Sequence, residues 1–186
     1  MDAPDYFHFF GLDPRLSLDL ADLENRFHRL SRQLHPDLHA QATPAERERS
    51  LEASAILNDA YRTLRDPVAR AEYLLKQQGF EQSKQAPAEL LDEVFELNLT
   101  LEELRRGDAS VRPQLDAARE RFLALLKETD AGLERLFAAY DHSPVPSALA
   151  EIRTALDRRK YISNLVEQVV GRTSRSAAEL PLGPAE

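Results

Sequence analysis

Histidine and aspartate lie close together at one point of the chain, in the tripeptide His35-Pro36-Asp37, and His39 follows soon after. An imidazole beside a carboxylate can act in general acid–base catalysis, and two histidines four residues apart on one helix can bind a metal ion. Such a metal site needs a continuous helix from His35 to His39. Pro36 interrupts it, because proline lacks an amide donor and disfavours helical geometry at the preceding residue. We therefore predict no metal ligand here.

General acid–base catalysis also needs a pocket that excludes water. A bend between two helices does not provide one, so we predict no catalytic residue and no cofactor, and we interpret the protein as not being an enzyme. A small acid–base enzyme that uses His35 and Asp37 stays an alternative only if a pocket forms beside the bend.

Two helices must position the tripeptide. The first is predicted from apolar residues that recur every three or four positions, namely Leu20, Leu23, Phe27, Leu30 and Leu34. Asp19 is its predicted N-cap, and Pro36 ends it at Leu34 or His35. Thr43-Pro44-Ala45-Glu46 then predicts the start of a second helix with a capping box, which extends to about Arg65. The pattern predicts an antiparallel hairpin that displays His35-Pro36-Asp37 at its bend.

The outer face of the first helix is basic. Arg26, Arg29 and Arg32 lie off the apolar stripe, and no acidic residue occurs between Glu24 and Asp37. We expect all three arginines to face solvent, where they can either steer an acidic partner or form an ordinary solvated face.

Further helical patterns follow the hairpin and predict an all-α protein. One helix begins at Pro67 and ends at Gly79, and three more are predicted at about 87–106, from Pro113 to Tyr140, and from Ser147 to Val170, closed by Gly171. Short links between the last three predict an antiparallel three-helix bundle. The predicted organisation is an N-terminal helical domain over 1–80, a connector over 81–86, the bundle over 87–171 and a disordered tail over 172–186.

Composition excludes several classes of protein. The 186-residue chain has no cysteine, which rules out disulfides, thiol catalysis and thiolate-ligated metals and suits a reducing cytoplasm. Its net charge of −8 argues against nucleic-acid binding, which depends on clustered lysine and arginine. No apolar run reaches the roughly 18–20 residues of a membrane-spanning helix, and the acidic Met1-Asp2-Ala3-Pro4-Asp5 does not resemble a signal peptide. We expect a soluble cytoplasmic protein.

The helix predicted at 87–106 has more apolar residues than one buried face requires. A first stripe contains Leu90, Val94, Leu97, Leu101 and Leu104, and a second contains Leu91, Phe95 and Leu99. The second stripe is rotated from the first by about 100°, so one small core cannot easily bury both. Either the helix is covered on two sides, or the second stripe is an exposed protein-binding surface rimmed by acids.

The residues of the N-terminal hairpin resemble a J-domain, the module with which co-chaperones stimulate a heat-shock ATPase. The residues that carry the resemblance are Phe27, Leu30, His35-Pro36-Asp37, Leu57-Asn58-Asp59-Ala60-Tyr61, Leu64 and Asp66-Pro67. Other stretches resemble the HscB branch, which serves iron–sulfur cluster assembly. They are Tyr6-Phe7, Phe10-Gly11-Leu12, Arg70-Ala71-Glu72-Tyr73-Leu74-Leu75 and Gly79-Phe80. The likeness covers about residues 5–170.

The resemblance implies two binding surfaces and two partners. Docking on a chaperone of the HscA or DnaK type is implied for His35, Pro36, Asp37, Arg26, Arg29 and Arg32. Binding of an IscU-like iron–sulfur scaffold protein is implied for Leu91, Asp92, Phe95, Glu96, Leu99 and Tyr161. The protein would deliver the scaffold to the chaperone and trigger ATP hydrolysis there.

A different class of function stays open. A general client-binding J-protein, or a helical adaptor that self-associates through the second stripe, would show the same pattern. We expect a monomer or weak self-association, and sedimentation distinguishes these possibilities.

Overall fold

The computed structural model describes residues 5–34, 43–83, 85 and 87–178, the last seven of them as backbone only. Within these ranges the chain forms helices and loops without a strand, which confirms the predicted all-α fold. The α-helices are α1 (Tyr6–Phe10), α2 (Leu20–Gln33), α3 (Pro44–Arg65), α4 (Pro67–Gln77), α5 (Leu91–Arg105), α6 (Arg112–His142) and α7 (Pro146–Ala178).

The helices belong to two compact units. The first contains residues 1–81 together with 136–150, and the second contains 82–135 and 151–186. The segment 136–150, which includes the end of α6 and the beginning of α7, thus belongs to the first unit, whereas the sequence assigned all of α6 and α7 to the bundle. The predicted boundaries at 80 and 87 stay predictions.

Helices α2 and α3 form the antiparallel hairpin of the first unit. Phe27 of α2 stacks on Tyr61 of α3 with ring centroids 4.3 Å apart, and Leu23 is fully buried. Leu20, the first member of the apolar pattern that predicts α2, is 52% exposed. Leu20 is the first residue of the helix and lies at its exposed end, next to the Asp19 cap.

Helix α4 holds the first unit together through a buried arginine. The Arg70 guanidinium is 4% exposed and donates hydrogen bonds to the carbonyls of Leu16 and Leu64. Burial lowers the pKa of Arg70, and the nearby carboxylates of Asp141 and Asp66 partly offset that effect. Asp141 also accepts hydrogen bonds from the Leu16 and Ser17 amides at 2.8 and 2.6 Å. The loop before α2 is therefore hydrogen-bonded both to Arg70 of α4 and to Asp141 of α6.

Parts of α5, α6 and α7 make the core of the second unit. Its buried cluster is Leu90, Leu97, Leu101, Leu115, Phe122, Ile162, Leu165 and Val169. Leu90, just before α5, and Leu97 and Leu101 within it are members of the first predicted stripe. Val94 and Leu104 of the same stripe pack against the cluster as partly buried residues. The first stripe is therefore the core face, as predicted.

The end of α7 differs from the prediction. Gly171 does not close the helix, which continues to Ala178 into the segment interpreted as a disordered tail. Glycine ends helices when it adopts a left-handed conformation, and among the described glycines only Gly11, Gly79 and Gly107 do so. The predicted tail residues 179–186 lie outside the described residues.

Candidate protein-binding sites

The end of α2, just before the tripeptide, is held by two serines. The Leu34 carbonyl, at the C-cap of α2, accepts hydrogen bonds from the hydroxyls of Ser50 and Ser54 at 2.8 and 2.9 Å. These serines lie one turn apart on α3, so they hold the last carbonyl of α2 against the neighbouring helix. Neither serine was among the predicted site residues, although their four-residue spacing on the apolar face of α3 was visible in the sequence.

The beginning of α3 is held by the predicted capping box. Thr43 caps α3 by accepting a hydrogen bond from the Glu46 amide, and the Glu46 carboxylate accepts from the Thr43 amide at 2.8 Å. The chain is therefore held at Leu34 and again at Thr43. His35, Pro36 and Asp37 themselves lie outside the described residues, as does His39.

Within the described ranges, two of the three arginines on the basic face of α2 have no ion pair. Arg29 and Arg32 are exposed and form no ion pair with any residue in the described ranges. Arg26 is turned inward: it pairs with Asp22 at 2.8 Å and donates to the carbonyls of Phe10 and Gly11 at 3.1 and 2.9 Å.

The expectation that Arg26 faces solvent is therefore wrong. The orphan carbonyls at the end of α1 need donors, and Arg26 is within reach of them. Its acidic partner lies four residues earlier on the same helix, a spacing that favours ion pairs and was visible in the sequence.

The second apolar stripe on α5 is exposed. Leu91, Phe95 and Leu99 are 52%, 65% and 51% exposed, while Leu97 and Leu101 on the opposite side of the same helix are almost completely buried. Acidic side chains flank the stripe, with both Asp92 and Glu96 exposed. Three large apolar side chains in consecutive turns form an apolar surface of the kind that binds other proteins. The structure thus decides between the two interpretations of this helix in favour of exposure.

Tyr161 has a different environment from the stripe. It is half-buried and packs against the buried cluster of the second unit from its position on α7. Its predicted contact with a scaffold protein stays a prediction.

Among the residues that the structure describes, no group of three or more histidine, cysteine, aspartate or glutamate side chains is arranged to hold a metal ion. No helix in the same ranges is both long enough and apolar enough to cross a membrane.

Comparison with known proteins matches both halves of the chain. The DnaJ domain family matches residues 5–73, and the HSCB C-terminal oligomerisation domain family matches residues 86–170. The chain is 38% identical over 138 residues to the co-chaperone protein HscB homolog of Bordetella petrii, an alignment that covers 72% of this chain and 80% of the relative. It is 32% identical over 169 residues to the corresponding homolog of Vibrio vulnificus, covering 88% and 94% of the two chains. The chain belongs to the HscB co-chaperone family.

Solved HscB structures have the same fold. The chaperone HscB from Vibrio cholerae matches with a TM-score of 0.65 and 30% identity, covering 92% of this chain and 99% of that one. The human co-chaperone HscB matches with a TM-score of 0.68 and 26% identity, covering 93% and 84%. The predicted combination of an N-terminal J-domain and a C-terminal helical domain is confirmed, as is the suspected HscB family.

The structure also shows what two residues of the HscB-like stretch, Arg70 and Tyr73, contact. Arg70 donates to the Leu16 and Leu64 carbonyls, and the Tyr73 ring stacks on Tyr6 with centroids 4.6 Å apart. The Tyr73 hydroxyl accepts a hydrogen bond from the Tyr6 amide, and burial raises the pKa of that phenol. This HscB signature therefore fastens α1 and the loop before α2 to α4.

Proposed function

We propose that this HscB-family co-chaperone stimulates ATP hydrolysis by a heat-shock chaperone of the HscA or DnaK type and delivers an IscU-like iron–sulfur scaffold protein to it. The observation that carries the proposal is the exposed stripe of Leu91, Phe95 and Leu99 on a helix whose opposite side already supplies the core. Such a surface is accessible to a partner, and it lies on the same chain as a J-domain.

The chaperone-binding surface consists of the bend with His35, Pro36 and Asp37 and the exposed arginines Arg29 and Arg32. Two guanidinium groups without intramolecular partners in the described ranges attract an acidic surface on the chaperone. Arg26 contributes mainly by fixing α1 to α2, because its Nε donates to Asp22 and its Nη1 donates to the carbonyls of Phe10 and Gly11.

The scaffold-binding surface is the stripe with Asp92 and Glu96 at its edge. When a partner buries the phenylalanine and the two leucines, removal of apolar surface from water favours binding. The flanking carboxylates disfavour partners that present acidic groups to them. Tyr161 belongs to this proposed site through the HscB resemblance alone.

The ATPase part of the proposal is tested with Asp37→Asn. Substituting the carboxylate by a neutral amide of the same size removes the charge at the bend, so we expect stimulation of the chaperone's steady-state ATPase to fall to the basal rate. Thermal unfolding followed by circular dichroism should be unchanged. The control is Asp116→Asn, the same substitution at an exposed position of α6. Full stimulation by Asp37→Asn would disprove this part.

The scaffold part is tested by calorimetric titration with the apo scaffold protein from the same organism. We expect Phe95→Ala to weaken binding about tenfold to a hundredfold, because truncating a central apolar anchor costs roughly 1.5–3 kcal/mol. Leu99→Ala should weaken binding less. Leu123→Ala is the matched control, because Leu123 is a 40% exposed leucine on α6 outside the stripe. Identical titration curves for Phe95→Ala and the unsubstituted protein would rule out the stripe as the binding surface.

A second candidate function is self-association through the same stripe. The description of the matching C-terminal family as an oligomerisation domain favours it. Sedimentation velocity at tens of micromolar decides between the two: a monomer leaves the stripe free for the scaffold, whereas a dimer that Phe95→Ala dissociates identifies a seam between two copies.

A further inference from the structure

Leu51 is an exposed leucine near the beginning of α3. Its side chain is 58% exposed, and among the large apolar residues of the described ranges only Phe95, in the stripe on α5, is more exposed. Arg47 precedes Leu51 by four residues and Ala55 follows it by four, and both are exposed. Side chains four residues apart are neighbours on a helix surface, so Arg47, Leu51 and Ala55 form one row, the α3 row.

The α3 row is held next to the end of α2. Ser50 and Ser54 of α3 donate hydrogen bonds to the Leu34 carbonyl at 2.8 and 2.9 Å. Helical geometry places Leu51 about 100° around the axis from Ser50 and about 60° from Ser54. Leu51 therefore lies on the flank of α3 beside the end of α2. Because two hydrogen bonds fix α3 there, a partner that binds Leu51 has little backbone to order.

The α3 row presents a cation together with its apolar side chain. Arg47 has no ion pair with any residue in the described ranges. The exposed acids nearby, Glu48 and Glu52, lie on the side of α3 that faces away from α2. Arg32, near the end of α2, is exposed and has the same sign of charge as Arg47. The two helices therefore present cations on both sides of their junction, with Leu51 beside them.

We propose that Leu51 is an apolar anchor for the heat-shock chaperone and that Arg47 binds a carboxylate beside the apolar pocket that receives it. Position favours the chaperone as the partner, because the α3 row continues the proposed chaperone-binding surface across the serine-bound end of α2. A partner whose acidic surface matches Arg32 also matches Arg47 in charge. This inference rests on the proposed function and extends the chaperone-binding surface from α2 onto α3.

The first test is Leu51→Ala in the full chain, with the chaperone's steady-state ATPase rate measured against co-chaperone concentration. We expect the concentration for half-maximal stimulation to rise about fivefold to tenfold, because truncation removes apolar surface that the partner buries. Stimulation at saturation should be unchanged, since Asp37 is retained. Leu51→Met should stay within about twofold of the unsubstituted protein, because it conserves apolar volume. Alanine is a good helix former, so the melting temperature should be maintained.

Leu20→Ala is the matched control for Leu51→Ala. Leu20 is a 52% exposed leucine of the same hairpin, but it is the first residue of α2 and lies about 20 Å along that helix from its other end. We expect Leu20→Ala to change neither the half-maximal concentration nor the maximal stimulation. Equal effects of the two substitutions would mean that position beside the bend does not matter, and would overturn the inference.

The contact proposed for Arg47 is tested with Arg47→Gln. We expect the half-maximal concentration to rise about twofold to threefold at low salt and less at high salt, because salt screens an exposed charge. Arg49→Gln is the matched control: Arg49 is exposed, has no ion pair in the described ranges and lies about 160° around α3 from Arg47. Equal shifts for the two variants would overturn the carboxylate contact.

The outcomes separate this inference from the proposed function. If Asp37→Asn abolishes stimulation while Leu51→Ala leaves the half-maximal concentration unchanged, the α3 row is unused and the inference is overturned while the proposed function stands. If Asp37→Asn stimulates fully, the ATPase part of the proposed function fails and the inference fails with it. Weaker calorimetric titration of Leu51→Ala with the apo scaffold protein, or altered sedimentation of that variant, would assign the row to the scaffold or to a second copy and would also overturn the inference.

Discussion

At the residue scale, Arg70 is a cation buried in the first unit, so its charge and its hydrogen-bond donors need partners. Its guanidinium is buried, and its donors satisfy the carbonyls of Leu16 and Leu64, which come from separate segments of the chain. A buried cation is costly unless hydrogen bonds and opposite charges compensate it, and here Asp141 and Asp66 supply the charges. Arg70 therefore joins the loop before α2, the end of α3 and the end of α6.

We expect Arg70→Met to lower the free energy of unfolding by about 3 kcal/mol, because it leaves two buried carbonyls without donors and Asp141 without its cation. Urea unfolding followed by circular dichroism measures the loss. Arg29→Met is the matched control, since Arg29 is exposed and unpaired in the described ranges, and it should change stability by less than about 0.5 kcal/mol. Equal stability of the two variants would contradict this role of Arg70.

At the element scale, the helix ends are determined by caps and by backbone conformation. Helix α1 has only five residues and ends at Gly11, whose φ of 63° places it in the left-handed region. The orphan carbonyls of Phe10 and Gly11 then accept hydrogen bonds from Arg26. A helix this short depends on such contacts, because one and a half turns cannot repay the entropy of nucleation.

Replacement of glycine by alanine should have opposite effects on stability at Gly11 and at Gly132. Gly11→Ala is expected to destabilise the protein by about 1–2 kcal/mol, because an L-residue is strained at this φ, and the added Cβ would lie 3.4 Å from the Arg26 Nη1. Gly132→Ala, within α6, has no atom within 4 Å of the added Cβ and should stabilise by about 0.5–1 kcal/mol. Thermal unfolding tests both, and a shift in the same direction would refute the argument.

At the scale of the whole molecule, the proposed activity depends on two surfaces that one chain carries. The bend and the basic face belong to the first unit, and the stripe belongs to the second. Linking two binding sites on one chain makes the second binding step intramolecular and raises the effective concentration of the scaffold at the chaperone.

A mixture of two variants tests this linkage. If the two surfaces act as proposed, Asp37→Asn should retain scaffold binding and Phe95→Ala should retain chaperone docking, so an equimolar mixture would contain both functions on separate chains. We expect the scaffold protein to raise the chaperone's ATPase rate further with the unsubstituted co-chaperone but not with the mixture. Restoration of that stimulation would mean that the chains associate or that linkage is unnecessary, and sedimentation of the mixture distinguishes these two cases.

The local sequence by itself determined the helices and the family. Asp19 and Thr43 cap α2 and α3 as predicted, because a cap needs only a polar side chain next to its own helix. The all-α fold and the HscB resemblance follow from the same short-range information, namely hydrophobic spacing and contiguous motifs. The roles of His35, Pro36 and Asp37 stay predictions.

Tertiary structure alone decided which side chains are free to bind a partner. Both stripes on α5 are apolar, and only the packing of α6 and α7 against one of them leaves Leu91, Phe95 and Leu99 exposed. Arg26 donates hydrogen bonds to the carbonyls at the end of α1. Segment 136–150 belongs to the same compact unit as residues 1–81, although the two are far apart in sequence. Burial and hydrogen bonding between distant segments depend on where those segments meet, which helical periodicity does not encode.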